Sequence, residues 1–192
     1  MSSTAWSFCV MSAESSRVHV VGPANSRAIV GPQRQHLIPC ITTETSGSGR
    51  LSAGMVVMPP GTASQIHYHS EADIVVMCVQ GWAATLVGPE LEPRMHGPGE
   101  FIYVPAGILH MAVNLSMTDV LVAVEVRTDP HFNEDVEVRA ELQAAAEEAA
   151  AALREGFNLE ETHADRVRPS PLPSLSSSSL NVVDVAKRAF TT

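Results

Sequence analysis

Short apolar runs separated by turn residues fill the chain from about residue 36 to residue 128. Glycine and proline separate the runs, and clusters of these residues mark turns between strands. Seven runs have the length and the β-branched content of strands: 51–58, 65–69, 74–79, 82–87, 101–104, 109–115 and 120–127. Because no helical period interrupts them, they predict an all-β core in the form of an antiparallel sandwich or barrel.

The pattern changes on both sides of this core. Residues 1–35 are rich in Ser, Gly and Pro and predict an N-terminal arm ahead of a barrel at 36–130. Residues 131–160 form an acidic segment with many alanines, which predicts a C-terminal helix with Gly156 as its C-cap. Residues 161–192 contain Pro-rich and Ser-rich runs and predict a disordered linker and tail.

Charge and cysteine usage narrow the classes of function. The formal net charge is −9, and residues 132–165 hold ten acids against two arginines, which accounts for −8 of that total. No cluster of Lys and Arg offers the footprint that phosphate neutralisation requires, so we expect no nucleic-acid partner. The three cysteines are too scattered for a disulfide framework, and no apolar run is long enough to span a membrane. These features predict a reduced, cytoplasmic protein without a membrane partner.

Two stretches of the chain carry three histidines at spacings suited to one metal ion. The first stretch places His67 and His69 on one predicted strand, where alternate side chains share a face. The second places His110 on another predicted strand, after a turn formed by Pro105 and Gly107. If the two strands are neighbours, the three imidazoles face one point, and neutral imidazoles are common ligands of divalent metals.

These stretches resemble the paired motifs of the cupin superfamily. The second stretch matches the family's pattern at each fixed position, namely Gly99, Pro105, Gly107, His110 and Asn114. The first stretch matches at Gly61, His67 and His69. The resemblance implies a small single-domain cupin of the stand-alone bacterial type, with the double-stranded β-helix of a jelly roll, to which the predicted helix and flexible tails are added. It also implies that His67, His69 and His110 bind one divalent metal.

The identity of a fourth ligand stays open, because the acidic position of the first motif differs by one residue depending on the direction of counting. Counting forward from His69 reaches Asp73, whereas counting back from Gly81 reaches Ile74, which has no donor atom. The extra residue predicts a bulge or a longer turn between the histidines and that glycine. By strand parity Glu71 and Asp73 both face the metal side, so each is a candidate ligand and a candidate catalytic acid or base. A bare three-histidine site is the third alternative.

The identity of the metal depends on that fourth ligand. Three histidines with an open coordination position suit zinc, whereas an added carboxylate widens the choice to iron, manganese, nickel or copper. Iron would favour oxygenase-like chemistry on a bound substrate. Zinc or nickel would favour Lewis-acid chemistry of an isomerase or cyclase type.

The pocket predicted around the metal is mostly apolar. Lys and Arg are absent from residues 51–93, which favours a small, partly apolar organic substrate over a phosphorylated sugar. Glu125 and Arg127 lie on the last predicted strand. Glu125 is a further candidate acid near the pocket that could serve in proton transfer, although we expect it to be solvated. Arg127 could meet a carboxylate at the end of the strand, although we expect it to be at the surface. We expect Asn114 to order a turn, and we expect the five histidines outside the motifs to be surface or satisfied polar residues.

The sequence therefore predicts a metal-dependent enzyme that acts on a small organic substrate. The resemblance adds a homodimer and a role in secondary metabolism to this prediction. The alternative is a non-catalytic cupin module that binds a metal or a small molecule, and metal analysis separates these classes.

Overall fold

The computed structural model describes residues 17–157. Within these residues the strands are β1 (Ile29–Val30), β2 (His36–Ile41), β3 (Ser52–Met58), β4 (His67–His69), β5 (Ile74–Gln80), β6 (Ala83–Val87), β7 (Glu92–His96), β8 (Phe101–Val104), β9 (His110–Asn114), β10 (Leu121–Arg127) and β11 (Val136–Val138). The helices are α1 (Thr43–Ser46) and α2 (Gln143–Glu155), with 3-10 turns at Pro23–Asn25 and Ala140–Leu142.

The strands form two antiparallel sheets. The first sheet has the order β1-β2-β3-β10-β5-β8, and the second has the order β11-β4-β9-β6-β7. All seven predicted strands are present, as β3, β4, β5, β6, β8, β9 and β10. The predicted all-β jelly roll with a C-terminal helix is thus confirmed.

Four strands escape the sequence pattern for separate physical reasons. β7 lies at a sheet edge with four of its five residues exposed, so it has no apolar alternation. β1 and β11 have two and three residues, which is too short to show a period. β2 contains Pro39, which argues against a strand because proline cannot donate to the sheet.

The predicted segments outside the barrel divide into described and undescribed parts. Residues 29–30 of the predicted arm pair with β2, whereas residues 1–16 lie outside the described residues. The predicted tail at 161–192, with His163, also lies outside them. Within residues 17–157 no helix is long and apolar enough to cross a lipid bilayer.

An apolar cluster between the two sheets forms the centre of the fold. It consists of Leu37, Val56, Met58, Cys78, Ala83, Leu121, Ala123 and Phe132. These side chains come from strands of both sheets, so their burial holds the sheets face to face. Removal of apolar surface from water contributes about 25 cal/mol per Å² to such packing.

Helix α2 covers the outer face of the second sheet. Its Ala146 and Ala150 are buried in a cluster with Leu86 and Met111 of the sheet. At the end of the helix, Arg154 donates hydrogen bonds to the carbonyl oxygens of two barrel residues, at 2.8 and 2.9 Å. The small alanines bring the helix close to the sheet, which explains why an alanine-rich sequence suffices for this contact.

A β-bulge in β5 accounts for the extra residue in the first motif. Val122 on β10 pairs with Gln80, whereas the next residue, Ala123, pairs with Cys78. Val79 is therefore the unpaired residue on the bulged strand. The predicted irregularity is confirmed, and it lies at the end of β5 that is remote from the histidines in sequence.

The packing of α2 leads to a first prediction. Ala146→Leu should lower the free energy of unfolding by about 1–3 kcal/mol, because the larger side chain overfills a fully buried contact. Ala145→Leu is the matched control, since Ala145 is exposed on the same helix and a surface change stays within about 0.5 kcal/mol. Urea unfolding followed by circular dichroism measures both. Equal stability of the two variants would contradict the described packing of α2.

Candidate metal centre

Strands β4 and β9 bring the three motif histidines together. His67 pairs directly with His110 across the two strands, and His69 lies on the same face of β4 as His67. The ring centroids of His67 and His110 are 4.3 Å apart, and those of His69 and His110 are 5.6 Å apart. One candidate ligand atom from each ring lies within 4.8 Å of the other two. The predicted juxtaposition of these histidines is present.

Each of the three rings is held by a hydrogen bond at its Nδ1 atom. His67 Nδ1 donates to the carbonyl oxygen of Gln65 at 2.8 Å, and His110 Nδ1 donates to that of Ile108 at 2.9 Å. His69 Nδ1 lies 2.8 Å from the Asp135 carboxylate. A carbonyl oxygen can only accept, so the proton of each of the first two rings is on Nδ1. The Nε2 atom is then the one that carries a free lone pair.

Burial keeps these imidazoles neutral. Their exposed fractions are 1% for His67, 2% for His69 and 8% for His110. Loss of hydration is the largest cause that lowers the pKa of each ring, to about 4 for His110 and well below the usual value for His67. The pKa of His69 is also lowered, although its bond to Asp135 acts in the opposite direction. A neutral ring is the form that binds a metal ion.

One polar atom of the site indicates that the site fits a metal ion. His69 Nε2 is buried and has no hydrogen-bond partner in the described structure, although buried polar atoms nearly always have one. The other two histidines line the cavity beside it. A divalent cation accepting lone pairs from the three Nε2 atoms would satisfy this atom. His67, His69 and His110 are therefore the residues that could hold the ion.

Asp73 does not join this cluster. Its Oδ1 accepts a hydrogen bond from the Ala106 backbone N–H at 3.0 Å, within the turn that precedes β9. In the same turn the Gly107 N–H donates to the carbonyl oxygen of His69 at 2.7 Å, and Gly107 has a φ of 77°, which favours glycine. Asp73 thus links the two motifs through the backbone and does not point at the histidines.

Glu71 also lies outside the cluster, because its side chain is exposed. The strand parity that predicted both acids ends with β4 at His69, and an irregular segment follows. When the chain enters β5, Ile74 is the residue that lines the cavity. Within residues 17–157 no carboxylate joins the three histidines as a ligand, so the described site is the bare three-histidine alternative.

Asp135 is a site residue that the sequence did not reveal. One oxygen accepts from His69, and the other accepts from the backbone N–H of Ala72 at 2.8 Å and of Glu71 at 3.2 Å. Although burial acts to raise it, these hydrogen bonds hold the pKa of Asp135 below its usual value. The carboxylate therefore orients His69 and fixes the segment after β4. A carboxylate that accepts the second ring N–H of a histidine is common where histidines bind metal ions.

A cavity of about 50 Å³ lies between the sheets beside His67 and His110. Most of its wall is aliphatic, with Val56, Met58, Ile74, Val76, Ile102, Val104, Leu121 and Ala123 among the lining residues. Its polar lining comes from the histidines together with Gln35, Thr85, His96 and Glu125. The interior is therefore a mostly apolar chamber, as the sequence predicts.

Two expectations about β10 are wrong. Glu125 has an exposed fraction of 4% and lines the cavity, and Arg127 has an exposed fraction of 1%. The two form a buried ion pair with a distance of 2.6 Å between Arg127 Nε and Glu125 Oε1. The burial of both follows from the central place of β10 between β3 and β5 and from the inward face of the strand, which Glu125 and Arg127 share with Leu121 and Ala123.

The remaining polar residues of the motifs and the other histidines have ordinary roles. Asn114 donates to the backbone carbonyls of Met58, Pro59 and Asp119 and accepts from Ser116 N–H, so it orders a turn as expected. His96 is buried beside Thr85, with 3.1 Å between Nε2 and Oγ1. His131 is an exposed partner of Glu44.

Comparisons with known proteins agree with this architecture. A family model described as Cupin matches residues 43–163. The polyketide cyclase RemF from Streptomyces resistomycificus is similar with a TM-score of 0.52 and 18% identity, over 64% of this chain and 85% of that one. An oxalate decarboxylase from Lactobacillus farciminis is similar with a TM-score of 0.52 and 16% identity, over 72% of this chain and 41% of that one.

A third similar structure is an uncharacterised protein with a double-stranded β-helix domain from Klebsiella pneumoniae. It has a TM-score of 0.50 and 12% identity, over 64% of this chain and 97% of that one. At these identities the structures show a shared fold and nothing about the substrate. A comparison with curated proteins gives no significant match.

The contact between Asp135 and His69 leads to a second prediction. Asp135→Asn should weaken zinc binding by roughly 10–100-fold, the usual effect of losing a carboxylate that orients a ligating histidine. The amide has one acceptor oxygen, so its NH₂ group would face either the Nδ1–H of His69 or the N–H groups of Glu71 and Ala72. Glu134→Gln is the control, because Glu134 is the exposed neighbour in the chain. Competition with a chelator measures both, and an unchanged zinc affinity in the Asp135 variant would refute the positioning role.

Proposed function

This chain belongs to the cupin family, and from its histidine cluster we propose that it is a metal-dependent enzyme acting on a small organic substrate. The observation that carries the proposal is the hydrogen bonding of the three buried histidines. Each uses Nδ1 for a hydrogen bond and leaves Nε2 available within 4.8 Å of the others. Such a set of donors has no evident structural use without an ion.

The donor set favours zinc or another Lewis acid. Three histidines with an open position form a known type of catalytic zinc site, whereas non-haem iron oxygenases commonly use two histidines and a carboxylate. When bound here, the ion would supply polarisation of a substrate oxygen or a bound water of lowered pKa. We therefore favour an isomerase or cyclase type of reaction over the oxygenase-like alternative, and a polyketide cyclase among proteins of this fold is compatible with that choice.

The residues of the site have different proposed roles. His67, His69 and His110 would hold the ion, and Asp135 would keep the His69 ring in position. The aliphatic wall of the cavity excludes water, which strengthens electrostatic interactions with a bound substrate. A substrate in this cavity would lie against the residues that would hold the ion, because His67 and His110 both line it.

The proposed substrate is partly apolar and enters from one edge of the sandwich. A groove of about 340 Å³ runs between β7 and β8, with Met95, Phe101, Tyr103 and Ile108 on its walls. The groove and the inner cavity share His96, Ile102 and Val104. We propose that a substrate lies in the groove and reaches the histidine cluster past these three side chains.

The proposed setting follows the expectations from the sequence. Cys40 and Cys78 are free and buried, which is compatible with a cytoplasmic protein. The proposed homodimer rests on the family resemblance. A role in secondary metabolism rests on the family resemblance alone.

Metal analysis tests the proposal and is the third prediction. The purified protein should contain about one zinc or other divalent ion per chain, and His67→Ala/His110→Ala should contain none, because two of three ligands are removed. His131→Ala is the control, since it removes an exposed histidine outside the cluster. Elemental analysis by mass spectrometry gives the stoichiometry of each protein.

Unfolding with and without a chelator completes this test. The native protein should lose stability when its metal is removed, because an ion that binds only the folded state stabilises it by mass action. A native protein that holds no metal after incubation with zinc, and is as stable as the double variant, would end the enzyme proposal. Such a protein would then be the non-catalytic alternative, whereas bound iron or copper would move the proposal to oxygen chemistry.

A further inference from the structure

We propose that Glu125 determines the specificity of the inner cavity by selecting a neutral ligand with a hydroxyl group, of the hydroxy-carbonyl class, over an anionic ligand. The inference rests on the proposed function, because the ligand is taken to reach the three-histidine cluster. It assigns the acidic residue of the pocket to Glu125 and not to Glu71 or Asp73. It is carried by the position of Glu125, by the state of its ion pair and by the lining of the cavity.

Glu125 lies on the central strand β10 and points into the same cavity as His67 and His110. Neighbouring residues on that face of the strand, Leu121 and Ala123, also line the cavity. The carboxylate and the cluster thus face one chamber from opposite sheets.

Arg127 pairs with the Glu125 carboxylate outside the cavity, and other contacts of its guanidinium hold it there. Its Nε donates to Glu125 Oε1 at 2.6 Å, and its Nη1 donates to Asn133 Oδ1 at 2.6 Å. Its guanidinium stacks over the Phe132 ring, 4.6 Å from the centroid. Arg127 is not among the residues that line the cavity. A ligand in the cavity therefore meets the carboxylate and not the cation.

The second carboxylate oxygen is available to a ligand. Glu125 Oε2 makes no hydrogen bond within residues 17–157, whereas Oε1 is occupied by Arg127. An ionised carboxylate oxygen is only an acceptor, so it binds O–H or N–H groups and repels anions. Among the described residues Glu125 is the one acid in the cavity wall, so the chamber has a single strong acceptor opposite the cluster.

Most other polar groups of the wall already interact within the protein. Gln35 Oε1 accepts from Gln33 at 3.1 Å, and Thr85 contacts His96 at 3.1 Å. The Cys78 thiol donates to the carbonyl oxygen of Gly81 at 3.3 Å, and the rest of the lining is aliphatic. A matching ligand therefore presents an oxygen to the histidine cluster and a hydroxyl to Glu125, with carbon elsewhere. A hydroxy-carbonyl group has this arrangement.

The volume of the cavity limits which part of the ligand enters it. A cavity that binds benzene has about 150 Å³, whereas this one has about 50 Å³. Only the hydroxy-carbonyl end of a larger molecule would enter, and an apolar remainder would lie in the groove between β7 and β8. A small chelating probe is therefore the right test of the inner cavity.

The experiment uses two small oxygen ligands on the full-length protein loaded with Co²⁺. Hydroxyacetone is a neutral probe with a carbonyl and a hydroxyl, and oxalate is an anionic probe of similar size. The visible absorption of Co²⁺ reports binding of each probe to the native protein, to Glu125→Gln and to Glu71→Gln. Glu71→Gln is the matched control, because it makes the same chemical change at an exposed site.

The fourth prediction is a change of opposite sign for the two probes. Glu125→Gln should weaken the binding of hydroxyacetone by about tenfold, the scale of one hydrogen bond to a charged group. The same variant should bind oxalate more tightly, because a repelling charge is removed. Glu71→Gln should bind both probes as the native protein does. A general loss of structure cannot produce a gain for one probe and a loss for the other.

Two results would overturn the inference in distinguishable ways. If Glu125→Gln binds Co²⁺ and both probes as the native protein does, Glu125 does not select the ligand and the proposed function stands. If the native protein binds no Co²⁺, the proposed function fails and the inference fails with it. Should Arg127 prevent Glu125→Gln from folding, Glu125→Gln/Arg127→Met removes both charges of the buried pair and must show the same two opposite changes.

Discussion

The site depends on one constraint, the hydrogen bond that each cluster histidine makes through Nδ1. Two of these bonds end on backbone carbonyls only two residues from the histidine in the chain, and the third ends on the carboxylate of Asp135. Because a neutral imidazole has one proton, fixing it on Nδ1 leaves Nε2 as a lone-pair donor. Burial between the sheets disfavours the protonated, charged form of each imidazole. Local backbone geometry and burial together prepare three ligand atoms before any ion arrives.

The rest of the fold serves this arrangement by holding two strands and two loops in register. Pairing of β4 with β9 sets His67 opposite His110. The turn before β9 is tied to β4 by Gly107 and to the segment after β4 by Asp73. On the other sheet, the pair of Glu125 and Arg127 places a charge in an otherwise apolar interior. A buried ion pair seldom adds stability over apolar packing, so the position of Glu125 in the cavity wall points to function.

The sequence was sufficient for the histidine cluster and for most of the barrel, because both depend on local periodicity. Alternation on β4 places His67 and His69 on one face, and the extra residue in the first motif correctly signals a bulge, which the structure places at Val79. The same parity argument did not hold for Glu71 and Asp73, since the strand ends at His69. Glu125 could not be assigned a face, because both faces of β10 carry apolar residues: Leu121 and Ala123 lie on its own face, and three valines lie on the other. Asp135 is separated from His69 by 66 positions and lies in a segment whose acidity predicts solvated surface.

The central claim is that one ion binds through three imidazole nitrogens at the β4–β9 pair. Crystals of the protein grown with zinc, measured on both sides of the zinc absorption edge, test this claim most directly. We expect one strong anomalous peak at about 2.0–2.1 Å from Nε2 of His67, His69 and His110. A peak bound through Nδ1, a peak elsewhere on the chain, or no peak in zinc-saturated crystals would contradict it.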